Sequence, residues 1–102
     1  MTELIQIKLN ELIIACKQHH VVALSLFGSA AKETSHKDSD IDLLVVFAKT
    51  IDVLEYADNY FSLLEQLQNI LNRKVDLVSS KSIKNPVLKE EIYKSKIDLY
   101  AA

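Results

Sequence analysis

The sequence predicts an α/β domain with a small mixed sheet and helices packed over it. Three observations lead there. Amphipathic stretches of helical period alternate with short β-branched apolar runs, the periodicity switching between about 3.6 and 2. The apolar runs VVALSLF and IDLLVVFA are strand-sized and far below the roughly 18 residues that suggest a membrane span. Only one Gly and one Pro interrupt the 102 residues, so order is expected nearly from end to end.

Taken in order, Thr2 to Gln18 reads as a first helix with Thr2 as N-cap, because Ile5, Leu9, Leu12, Ile13 and Cys16 recur at helical spacing. His19 and His20 close it, and these two with Cys16 are read as helix-end and core residues. Val21 to Phe27 is a β-branched and aromatic strand that ends at Gly28. Ala30 to Lys32 is expected to start a short helix, followed by a polar loop over Thr34 to Ser39 and a second strand over Asp42 to Phe47. His36, in that loop, is read as having no role.

Asp52 to Asn72 is the longest predicted helix. Its expected core face is Leu54, Ala57, Phe61, Leu64, Leu67 and Leu71, with Glu55, Asp58, Glu65 and Asn69 turned away. Arg73 to Val78 is a third short strand in which Val75 and Leu77 point one way and Asp76 the other. Pro86 suits the first turn of a final helix to about Lys96, with Val87, Leu88, Ile92 and Tyr93 as its apolar side. Ile97 to Tyr100 adds an edge strand. There is no internal repeat or linker, so residues 1–102 are expected to be one domain; the strand order cannot be read from the sequence.

Composition narrows the function. The formal net charge of −2 argues against a protein whose main work is gripping a nucleic-acid backbone, so no stable nucleic-acid binding is expected. One cysteine forms no internal disulfide, and with three histidines it offers no zinc spacing. The N-terminus carries no secretory pattern, so a cytoplasmic protein without membrane attachment is expected.

The chemistry gathers around Gly28 to Phe47. Residues two apart in a strand share a face at roughly 6.6 Å, so Asp40 and Asp42 can aim at one small volume. Burying like charges together is costly unless something cationic meets them. If the strand holding Asp76 pairs beside that of Asp42, three carboxylates converge on a site suited to Mg²⁺, a hard cation with oxygen ligands. Two ions about 3.5–4 Å apart would offset the repulsion and clamp a phosphoryl displacement. A single glycine rules out both the Walker A loop and the dinucleotide fingerprint. Phosphate must be held otherwise: Gly28 permits close backbone approach, Ser29 adds a hydroxyl, the following helix start offers amides, and Lys32 offers a point charge.

The ordered elements Gly28-Ser29-x-Ala31-Lys32, Ser39-Asp40-x-Asp42-Leu43 and Lys74-Val75-Asp76-Leu77-Val78 resemble the minimal nucleotidyltransferases of the DNA polymerase beta superfamily. The resemblance covers nearly the whole chain. It implies a palm-like α/β fold that binds ATP with two Mg²⁺ ions and transfers a nucleoside monophosphate to a hydroxyl. By position, Gly28 and Ser29 match the triphosphate-holding pair, Asp40 and Asp42 the shared ligands of both metals, and Asp76 the third carboxylate, which serves one metal and the acceptor. Many members carry arginine where this chain has Ala30 and Lys32, and lysine cannot reproduce a bidentate arginine grip on phosphate. The chain leaves no residues for an appended acceptor-choosing domain, so the acceptor is expected to be another protein. Minimal members are commonly paired with a HEPN-type toxin, which they neutralise by attaching AMP to its tyrosine. A binding-only antitoxin and an oligomeric small-molecule nucleotidyltransferase stand as alternatives.

Overall fold

The first element, α1 (Glu3–Gln18), ends where His20 takes a φ of 59° and turns the chain into β1 (Val21–Phe27). The computed structural model describes residues 3–28 and 40–102. Thr2, the expected short helix from Ala30 to Lys32 and the loop from Thr34 to Ser39 lie outside the described residues, as does Ser29. β2 (Ile41–Phe47) follows, one residue longer at its start than expected. α2 (Val53–Leu71) is capped by Asp52, whose side chain accepts from the Leu54 amide at 2.8 Å. Asn72 ends it in the left-handed conformation that asparagine tolerates. β3 (Val75–Ser79), a single 3₁₀ turn (Ser80–Ser82), α3 (Pro86–Ser95) and β4 (Ile97–Ala101) complete the order. Pro86 opens α3, and Asn85 caps it by accepting from the amides of Val87 and Leu88.

The sheet runs β3-β2-β1-β4. β1 is antiparallel to both β2 and β4, while β2 and β3 are parallel, with α2 as the crossover between them. Two hydrogen bonds, one to the side-chain oxygen of Gln68 and one between backbones, set how that crossover ends. Gln68 of α2 accepts from the Val75 amide at 3.0 Å, and the Ile41 amide donates to the Lys74 carbonyl at 3.0 Å. The starts of β2 and β3 are thereby pinned side by side.

α1 and α2 cover one face of the sheet. Ile5, Leu12, Ala15 and Cys16 of α1 and Leu63, Leu67 and Leu71 of α2 pack on Leu24, Leu26, Leu43, Val45, Val75 and Leu77. Burial in this apolar core pushes the Cys16 thiol up to about 12, so it stays protonated and inert at neutral pH. His19 is likewise a core residue: its Nδ1 donates to the Ala15 carbonyl at 2.7 Å and its Nε2 pairs with Ser62 Oγ at 3.0 Å. Among the described residues, no helix is long and apolar enough to cross a membrane.

The long helix is rotated from the expected face. Leu67 and Leu71 are buried as expected, but Leu54 and Phe61 are 87% and 63% exposed, and Tyr56, Tyr60 and Leu63 take the inward places. Both sets have helical spacing; the tyrosines win because their hydroxyls find partners, Tyr56 donating to Ser79 Oγ at 2.8 Å and Tyr60 to the Leu77 carbonyl. The two stripes make a direct test. Leu67→Ala is expected to cost about 2–5 kcal/mol in chemical denaturation, whereas Leu54→Ala should cost under about 0.5 kcal/mol.

α3 also differs from expectation. Of its apolar side only Ile92 is buried, while Val87, Leu88 and Tyr93 are exposed. Ile92 and Leu44 are buried outside the main core, on the reverse face of the sheet that α1 and α2 leave uncovered.

Candidate active site

Parallel pairing places Ile41 opposite Val75, Asp42 opposite Asp76 and Leu43 opposite Leu77. Since Ile41, Leu43, Val75 and Leu77 point into the core, alternation sends Asp42 and Asp76 together to the reverse face. Neighbouring strands are roughly 4.8 Å apart, so these carboxylates are side by side. Asp40, exposed, immediately precedes β2 at the same end of the sheet.

Antiparallel pairing on the other flank sets Phe27 opposite Asp42, so the next residue, Gly28, lies over the aspartate. Gly28 has a φ of 68°, and a Cβ there would fall 2.2 Å from Asp42 Oδ2 and 3.2 Å from its Cγ. Two constraints therefore demand glycine, a left-handed backbone and direct contact with a carboxylate. The chain's single glycine stands where the site is tightest.

The electrostatics follow from the geometry. The Asp42 carboxyl is pushed above the usual aspartate range, first by burial, then by Asp76 and Asp40. The Tyr60 phenol, across the sheet, is also raised, by burial first and then by Asp76 and Tyr56. Among the described residues, no group of three or more His, Cys, Asp and Glu side chains is drawn together closely enough to hold a metal ion as it stands. The donor set nevertheless fits Mg²⁺: all its groups are hard carboxylate oxygens, and their mutual repulsion is what a divalent ion would relieve.

Three expected site residues, Gly28, Asp42 and Asp76, are thus brought together, with Asp40 coupled to Asp42 by its charge. Ser29 and Lys32 lie outside the described residues. The structure adds a wall that sequence reasoning missed. A cleft of about 700 Å³ is lined by Phe27, Gly28, Asp76 and Val78 on one side and by Leu88, Glu91, Ile92, Lys94 and Ser95 of α3 on the other. Nothing local marks α3 as a site element; the one signal was its polar face following shortly after the strand of Asp76.

The family model described as polymerase beta, nucleotidyltransferase matches residues 10–102. The chain belongs to that family. A relative from Methanocaldococcus jannaschii, named as a candidate protein adenylyltransferase, is 40% identical over 76 residues, which span 74% of each chain. Among solved structures, a chain from a toxin–antitoxin complex with AMP-PNP superposes with a TM-score of 0.71 at 28% identity, covering 92% of this chain and 73% of that one. A second, from the tri-AMPylated Shewanella oneidensis HEPN toxin in complex with its MNT antitoxin, gives 0.65 at 25% identity, covering 95% and 72%. Among the described residues, this polymerase beta family nucleotidyltransferase has the small mixed sheet with packed helices that the sequence predicted.

Proposed function

We propose that this nucleotidyltransferase moves AMP from ATP to a hydroxyl of a HEPN-type partner protein, a tyrosine by preference, and acts as that toxin's antitoxin. The observation that carries the reading is the register of Asp42 beside Asp76 directly beneath Gly28. The name of the archaeal relative and the tri-AMPylated toxin of the Shewanella complex support it.

Gly28 lets the backbone approach the triphosphate closely, with Ser29 and Lys32 following it in sequence as further phosphate groups. Asp40, Asp42 and Asp76 would hold two Mg²⁺ ions, whose chemistry when bound is to neutralise phosphate charge and acidify the attacking hydroxyl. Asp76 would accept a hydrogen bond from the acceptor hydroxyl, orient its oxygen toward the α-phosphorus and take up its proton as it attacks. The new oxygen–phosphorus bond forms as the bond to pyrophosphate breaks, and pyrophosphate leaves.

Incubating the chain with ATP, Mg²⁺ and its HEPN-type partner is expected to add AMP units to the partner, seen by intact-mass spectrometry and located to a hydroxyl side chain by fragmentation. A partner that is inhibited yet unmodified would instead establish a binding-only antitoxin. Label transferred only to a small molecule would establish the remaining alternative.

A further inference from the structure

We propose that Lys94 of α3 is a second cation, meeting the outer phosphates of the nucleotide from the wall opposite Gly28. This deepens the reading of the site as one that binds ATP, and rests on it.

The case begins with charge. Asp76 lines the cleft, and Asp42 stands beside it in the adjacent strand. Glu91 adds another carboxylate to the α3 wall. A triphosphate entering this cleft brings several further negative charges, more than divalent ions shared with three aspartates balance. A protein cation on the wall would add to whatever Lys32 supplies, and among the described residues lining the cleft Lys94 is the one that is cationic.

The position of Lys94 suits that part. It lines the same cleft as Gly28 and Asp76, and a flexible four-carbon stem lets its ammonium swing toward a phosphate bound there. Its present partner is Glu90, one helical turn back at 3.3 Å, and both groups are largely in solvent. Such a pair is weak and readily exchanged for a multiply charged phosphate. The neighbouring lysines are engaged elsewhere: Lys96 bonds to Asp98, Lys89 lies over the Tyr93 ring at 5.8 Å, and Lys81 and Lys84 line a different cavity beside Tyr56 and Phe61.

The test is calorimetric binding of ATP and of AMP, each with Mg²⁺, to the wild-type chain and to Lys94→Ala, Lys94→Arg and Glu90→Gln. ATP affinity is expected to fall about tenfold in Lys94→Ala, from the loss of one charge-assisted contact, while AMP affinity is unchanged. Lys94→Arg should restore ATP binding to within about threefold. Glu90→Gln, which frees Lys94, should bind ATP at least as well as wild type. Unchanged ATP affinity in Lys94→Ala, or equal losses of ATP and AMP, would overturn the assignment. A wild-type chain that binds no ATP would instead overturn the proposed function itself, a result visible before any variant is compared.

Discussion

Gly28→Ala is expected to leave the protein folded and its nucleotidyl transfer lowered by about a hundredfold or more. The added methyl would stand 2.2 Å from Asp42 Oδ2, far inside contact distance, so something must move. The Asp42 carboxylate is the free end of a side chain and yields more readily than the β1–β2 backbone, so the displacement falls on the group proposed to hold the metal. Displacement of a catalytic group by about 1 Å is enough for a hundredfold loss. Alanine at a φ of 68° adds strain of about 1–2 kcal/mol, small against the total stability of an ordinary domain. Circular dichroism and thermal melting should therefore show a cooperative fold with a modestly lowered midpoint. ATP affinity measured beside transfer locates the damage. Wild-type transfer by Gly28→Ala would mean that Asp42 does not act from the position it holds here.

That this glycine mattered could be read from the sequence; why it mattered could not. The strand ending at Gly28, the acids at the mouth of the next strand and the alternation around Asp76 are local signals of period 2, and the structure keeps each of them. Register is not local. Asp42 meets Asp76 only because α2 has the length, the Asn72 turn and the Gln68 contact that bring Val75 level with Ile41. The face of α2 was misread for a related reason. Leu54, Ala57 and Phe61 keep helical spacing as well as Tyr56, Tyr60 and Leu63 do, and the choice between them is made by the acceptors β3 offers to tyrosine hydroxyls. The α3 wall of the cleft was invisible because residues more than fifty positions apart, Gly28 and Lys94, meet only through the sheet order.

The carboxylates themselves should separate by function when neutralised one at a time. Asp42→Asn removes a charged group, proposed to hold metal, that lies against Gly28, so nucleotide affinity and transfer should both fall. Loss of a group that merely orients a metal ligand costs about 10–100-fold in metal affinity or activity, and loss of the ligand should cost at least as much. The same substitution has a second, opposite effect on the metal-free protein. Because the Asp42 carboxyl is raised in the folded state by burial, Asp76 and Asp40, its ionised form lowers native stability above its folded titration point, and the penalty is relieved as pH falls through that point. Without Mg²⁺ at pH 7, Asp42→Asn should therefore melt higher than wild type, and the gap should close as pH falls toward the ordinary aspartate range near about 4. Adding Mg²⁺ with ATP should raise the wild-type melting point and leave that of Asp42→Asn nearly unmoved. Asp76→Asn should behave differently. It leaves Asp40 and Asp42 in place for the triphosphate-bound ion, so ATP binding should survive while transfer fails for want of acceptor activation. Transfer by Asp76→Asn at the wild-type rate would make Asp76 an ordinary strand residue, and its register beside Asp42 would then carry no catalytic meaning.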